Sequence, residues 1–316
     1  MDTFEIIPAT IIIATLMLLA FHKFKKKQYS QNLPGPPSIP LLGTVLKHGV
    51  NPTSKTLMDL SKVYGAIYRI NIGPQCVLVL NNYDAIRQGL MRPTELSHRG
   101  LKNKPSWKQT RTAKMHGLFV KDFDSSLTRE RNMCIGILRK LGMGKTILED
   151  KILQEITAVV DILRKGHYSD IGDIIHTSIG NVTVDILLNK RFLHGNQTMR
   201  SLLENTNKTV SNIVSTTIID SFPMLRFIQP FKGIVQQFIS GSDWIIRFMK
   251  DEADRLLNGF DRESTDSFVE SYFANNYNET TENVHVNMEA LKYVLGDLVA
   301  GGMHTSAIGR YTLTYM

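Results

Sequence analysis

Cysteine is nearly absent: Cys76 and Cys134 are the two among 316 residues. Two cysteines so far apart exclude a disulfide framework and a Cys-x-x-Cys motif. Each sits among apolar neighbours, Cys76-Val77-Leu78-Val79 and Met133-Cys134-Ile135. Each is therefore expected to be a small buried hydrophobe, and this usage fits a reducing compartment. The chain has no internal repeat and no low-complexity tract, so a stacked-repeat architecture is excluded. Zinc-ligand spacing and aromatics interleaved with basic residues are also lacking, and no nucleic-acid partner is expected.

What is present is ordinary globular composition, 42% hydrophobic and 21% charged, enough for one large core or two modest ones. The formal net charge is +8. Between residues 101 and 145 lie eleven basic and three acidic residues, the same excess that the whole chain carries. Such a stretch suits anionic lipid or an acidic protein partner, and equally a solvated basic face.

Residues 6–21 contain no charge and centre on Ile11-Ile12-Ile13-Ala14-Thr15-Leu16-Met17-Leu18-Leu19. At ~1.5 Å per residue they would span roughly 24 Å, short for a hydrocarbon layer of ~30 Å, so flanking side chains would snorkel or the bilayer thin. A cleaved signal has the opposite charge order. Here Asp2 and Glu5 come before the run, while Lys23, Lys25, Lys26 and Lys27 follow it. The positive-inside rule then predicts one N-terminal anchor helix, with the N-terminus in the lumen and the rest in the cytosol. Next comes Leu33-Pro34-Gly35-Pro36-Pro37-Ser38-Ile39-Pro40, whose prolines exclude helix and predict a stiff extended spacer.

Further on, periodicity predicts a helix over residues 53–64 with Gly65 as its stop. Strands follow over 66–72 and 75–80, joined at Gly73-Pro74, and then a short helix near 83–90. Residues 92–125 show no clean period and read as a long loop. Beyond them the pattern is helical. Leu148, Ile152, Ile156, Val159, Val160 and Leu163 share one face, followed by helices over 171–188, 199–219, 231–257 and 287–316, with a break at Phe222-Pro223-Met224. The fold class is mostly α with a small β hairpin near the start.

These patterns occur in one order with Leu41-Leu42-Gly43, Ser97-His98-Arg99, His116-Gly117-Leu118-Phe119, Leu138-Arg139-Lys140-Leu141-Gly142-Met143-Gly144-Lys145 and Leu148-Glu149-Asp150. The last is Asp297-Leu298-Val299-Ala300-Gly301-Gly302-Met303-His304-Thr305-Ser306. Together they resemble the microsomal cytochrome P-450 family over nearly the whole chain. The resemblance implies an anchor at 1–27, a proline-rich linker at 28–44, and the N-terminal part of a haem monooxygenase domain at 45–316, ending in the family's central long helix.

It further implies haem iron with a cysteine thiolate, insertion of one atom of dioxygen into an apolar small-molecule substrate, and electrons from an NADPH-dependent reductase or a cytochrome b-type donor. The implied place is the endoplasmic reticulum membrane, in contact with lipid. Family members bond a haem propionate with a tryptophan and an arginine four residues later. Leu127 and Arg131 stand there, and Leu127 has no donor to offer.

In the central helix the family's acid and threonine fall on His304 and Thr305, the implied proton relay. A register counted from the chain's last residues sets Met303 and His304 there instead, but Asp297-Leu298-Val299 favours the first. Gly301 and Gly302 cost roughly 1 kcal/mol each in a helix interior. Either they leave room for a ligand or they pack against another helix. The family's Glu-x-x-Arg motif and cysteine loop are not in these residues, so the chain alone is expected to be inactive. A membrane-tethered remnant that binds ligands or partners is the alternative function, and a basic membrane-surface adaptor a further one.

Overall fold

The computed structural model describes residues 33–39, 42–49, 52–92, 96–100, 104, 117–166, 171–260, 265–276 and 281–314. The apolar run expected to be an anchor, residues 6–21, lies outside them. The chain divides into two compact units, Met1–Ser97 with Thr217–Met224 and His98–Thr216 with Leu225–Met316.

In the first unit, α1 (Val45–His48), α2 (Ser54–Tyr64), β1 (Ile67–Ile72), β2 (Gln75–Leu80) and α3 (Tyr83–Leu90) follow in order. The Thr53 hydroxyl accepts from the Thr56 N–H at 3.2 Å, satisfying a donor that the first turn of α2 leaves open. Gly65, at φ +89°, ends that helix. The strands form an antiparallel pair in which Ile70 faces Val77 and Asn71 faces Cys76. Leu60, Tyr68 and Ile70 make its small core, and the Tyr68 hydroxyl donates to the Leu57 carbonyl at 2.7 Å.

The proline-rich run lies against β1: the Arg69 N–H donates to the Pro34 carbonyl at 2.9 Å. A Cβ at position 35 would come within 2.2 Å of the Arg69 carbonyl oxygen, so this approach needs glycine. One expectation fails here. Cys76 is exposed, because strand alternation puts it on the outward face with Leu78 while Val77 and Val79 turn inward. Cys134 is buried, as its apolar neighbours predict.

The second unit is helical. Its elements are α4 (Ser125–Lys140), α5 (Thr146–Arg164), α6 (Ile171–Leu188), most of α7 (Gln197–Ser221), α8 (Phe231–Leu257), α9 (Phe268–Asn276) and α10 (Thr281–Thr314). A 3₁₀ turn, Pro223–Phe227, stands where the Phe-Pro pair predicts a break. The Asp124 carboxylate caps α4 by accepting from the Leu127 N–H at 2.6 Å. α10 packs on α6 and α8, and α5 packs on α6. Val184, Leu188, Met249, Leu295 and Val299 are among the side chains that fill the space between. A Cβ at Gly180 of α6 would meet Met303 of α10 at 2.6 Å, so the small residue sets how closely these helices approach.

α6 is the one described helix long and apolar enough to cross a bilayer, but half of it is buried inside the fold, as befits a core helix. The apolar face of α5 departs from expectation. Ile152, Ile156 and Val160 are 40%, 50% and 37% exposed, and the one buried residue of the helix is Glu155. α6 covers the helix only in part. The rest of the face lines an open groove of about 420 Å³ with α6, Gly302 and Ser306.

Candidate active site

α10 carries three faces of different chemistry. Val294, Leu295, Val299 and Met303 enter the core. Gly302 and Ser306 border the α5–α6 groove. Tyr293, Gly296, Asp297, Ala300, Gly301 and Thr305 line a second cavity of about 200 Å³. Its other walls are Thr209, Val210 and Ile213 of α7, Phe238, Ser242, Ile245 and Ile246 of α8, and Phe119 from the loop before α4. The lining is mainly apolar, with few polar groups, the usual make-up of a small-molecule site.

The two adjacent glycines have different reasons to be small. A Cβ on Gly302 would sit 3.0 Å from Cγ2 of Thr183, a close helix–helix approach. A Cβ on Gly301 would meet nothing within 4 Å, and that residue opens on the cavity. The Thr305 hydroxyl lines the same cavity and donates to the Gly301 carbonyl at 2.5 Å. This bond points the hydroxyl back along the helix and pins its rotamer.

His304 is not among the lining residues. Its Nδ1 is buried without a hydrogen-bond partner among the described residues, and burial holds its pKa below the ordinary histidine value. The ring is therefore neutral near pH 7. On α4, Leu127 is buried and Arg131, one turn later, is exposed. Arg131 is not part of the cavity lining either, so of the three anticipated residues Thr305 alone faces this space.

Sequence reasoning gave no role to the carboxyl group that the cavity does contain. Oδ2 of Asp297 accepts from the Phe119 N–H at 2.8 Å, and the Leu118 N–H also donates to this carboxylate. Asp297 is partly buried, and it lines the cavity. Desolvation outweighs the two donors and the pKa rises to about 7, with Glu130 adding repulsion. The available signal was an acid inside an otherwise apolar helical stretch.

Cys134 shows the opposite of thiolate chemistry. Burial, then the charge of Glu130, push its thiol up to about 12.

Comparison with known proteins fits this arrangement of one long helix bordering an apolar cavity. The sequence pattern of the cytochrome P450 family matches residues 33–316. Cytochrome P450 2C5 of Oryctolagus cuniculus is 26% identical over 287 residues, covering 89% of this chain and 57% of the relative. Cytochrome P450 2F2 of Rattus norvegicus is 27% identical over 280 residues, covering 86% and 55%. Cytochrome P450 2H1 of Gallus gallus is 26% identical over 311 residues, covering 96% and 61%. The chain thus spans somewhat less than two thirds of the length of these relatives. A family pattern that runs from residue 33 to residue 316 leaves one assignment: the chain belongs to the cytochrome P450 family.

Proposed function

We propose that this chain carries the substrate cavity and the oxygen-side helix of a haem-dependent monooxygenase, which inserts one atom of dioxygen into an apolar small molecule at the endoplasmic reticulum membrane. The observation that carries the reading is the apolar cavity bordered along α10 by Gly301 and Thr305. A substrate is held there by desolvation against Val210, Ile213, Phe238 and Ile245 rather than by directed bonds.

Haem, when bound, supplies the activation of dioxygen, with electrons from an NADPH-dependent reductase or a cytochrome b-type donor. The residues of α10 fit its neighbourhood. Gly301 has open space where a side chain would stand, and Thr305 holds an exchangeable proton at the cavity wall. His304, one residue away, is an imidazole that burial keeps neutral, a base rather than an acid near pH 7. Exposed Arg131 would hold a propionate by a charge-assisted bond, while Leu127 offers none. Cys134 does not fit the thiolate role, because a thiol with a pKa of about 12 stays protonated. Cys76 is paired into the hairpin opposite Asn71.

In this reading residues 1–27 anchor the chain, residues 28–44 space it from the bilayer, and residues 45–316 form the N-terminal part of the catalytic domain. A catalytically inactive, membrane-tethered ligand-binding protein is the second reading, and the apolar cavity, which can take up an apolar molecule by desolvation without haem, is the observation that favours it. Reading the transcript past codon 316 separates the two. An open frame encoding Glu-x-x-Arg and a cysteine loop supports the monooxygenase. A stop codon overturns it and leaves the binding protein.

A further inference from the structure

We propose that residues 190–196, which join α6 to α7, form an acid-sensitive clasp on the helical unit, with His194 as its trigger. The inference stands apart from the cavity and from the monooxygenase reading.

The segment grips its surroundings at several points. Asn189 leaves α6 at φ 47°, a left-handed turn that asparagine tolerates. The next two residues are cations, and each takes a different buried carboxylate. Lys190 donates to Glu252 of α8 at 2.9 Å, and Arg191 donates through Nε to Glu155 of α5. Both glutamates keep 7% of their side-chain surface. Phe192 is then fixed through its backbone, whose N–H and carbonyl are both bonded to the Asn181 amide of α6. At the far end the Asn196 side-chain oxygen accepts from the Thr198 and Met199 N–H groups at 2.9 and 3.2 Å, opening α7. One short segment therefore holds four helices.

His194 sits inside this arrangement with 18% of its side chain exposed. The Ser178 hydroxyl donates to the Ile174 carbonyl at 3.1 Å, so its oxygen accepts from His194 Nε2 at 3.4 Å. The ring's other nitrogen, Nδ1, is then the one that acid protonates. The same Nε2 lies 3.9 Å from Oε2 of Glu155, whose Oε1 takes Arg191. Among the described residues, the charges that bear on the ring are Glu155 of α5 and Arg191 of its own segment. α6 contributes the uncharged Ser178 and Asn181, and its Asp185 is paired with Lys151 of α5 at 2.8 Å.

A neutral ring suits this place and an imidazolium does not. A second cation would enter a poorly hydrated site whose carboxylate already has an arginine on it. Desolvation, opposed by attraction to Glu155 and reinforced by repulsion from Arg191, holds the His194 pKa below the usual 6.5. The folded chain therefore resists a proton that the unfolded chain accepts. The stability that this residue contributes is complete above about pH 6.5 and is lost as pH falls through the lower folded value. Moving His194 and Arg191 apart relieves the charge, and that movement opens residues 190–196.

The test uses the full 316-residue chain in detergent. The His194 ring, isotope-labelled at Cε1 and assigned by its loss in His194→Gln, is titrated by NMR. Its midpoint should lie below 6.5, rise in Arg191→Ala and fall further in Glu155→Gln. Hydrogen exchange at the Phe192 and Met199 amides, corrected for intrinsic rates, should show severalfold less protection at pH 5.5 than at pH 7.5. His194→Gln cannot titrate, and in it this pH dependence should disappear, which a general acid loosening of the fold would not allow.

A parent midpoint at or above 6.5, or the same pH dependence of protection in His194→Gln, would overturn the clasp. Should Arg191→Ala or Glu155→Gln fail to fold, the parent midpoint and the His194→Gln comparison still decide.

Discussion

Arg191 donates through Nε to the buried carboxylate of Glu155, and this pair closes the polar seam between α5 and the loop after α6. Asn181 completes it, donating to the Phe192 carbonyl at 2.8 Å and accepting from the Phe192 N–H at 3.0 Å. Glu155 keeps 7% of its side-chain surface, whereas Arg191 keeps 42%. Removing the arginine leaves a carboxylate that water reaches poorly. Arg191→Ala is therefore expected to lower stability by roughly 1–3 kcal/mol. Glu155→Gln, which keeps size and a carbonyl acceptor, should cost less. Urea midpoints of the two variants decide the order.

Four glycosylation sequons begin at Asn181, Asn196, Asn207 and Asn278. With the globular part in the cytosol, all four stay bare. Asn181 is 1% exposed and both ends of its amide are bonded, so it stays bare in the folded chain in either orientation. Asn196 and Asn207 are exposed and therefore report topology. A mobility shift on endoglycosidase treatment, abolished by Asn207→Gln or Asn196→Gln, would overturn the proposed orientation.

Asp297 should make stability fall as pH rises. Its folded-state pKa is raised from 3.8 to about 7, so the folded chain keeps a proton that the unfolded chain has already released across that window. The stabilisation is complete below about pH 4, declines through the window, and is gone above about 7. Asp297→Asn removes the titration. The stability difference between variant and parent, from urea titrations at pH 5 and pH 8, should shift in favour of the variant at the higher pH.

The adjacent glycines should respond in opposite ways. Gly301→Ala meets nothing within 4 Å and gains helix propensity, about 1 kcal/mol. Gly302→Ala gains the same but forces Thr183 to give way, which offsets the gain or reverses it. Melting temperatures should rise for the first and stay level or fall for the second. In a haem-loaded, complete protein, Thr305→Ala should divert electrons to peroxide more than it weakens substrate binding.

Element positions were legible because their causes are local. Period, caps and glycine stops mark 54–64, 67–72, 75–80, 171–188 and 231–257 to within a residue or so of where they stand. What escaped was set by contacts distant in sequence. Cys76 lies outward because the pairing of β2 decides which face meets Leu60 and Tyr68. The apolar stripe on α5 marks a helix face correctly, yet a stripe says nothing of whether a neighbour covers it. Asp297 needed a partner 178 residues away before it had a role. The glycine pair posed two explanations, and the structure uses one for each residue.

The uncovered stripe on α5 has a practical outcome for handling the protein. Ile152 and Ile156 leave 40% and 50% of their surface in water and line the open groove. Deleting the apolar N-terminal run therefore does not turn this chain into a freely water-soluble one. Its colloidal behaviour is governed by a second sticky surface within the helical unit itself, so surfactant demand should persist after the deletion.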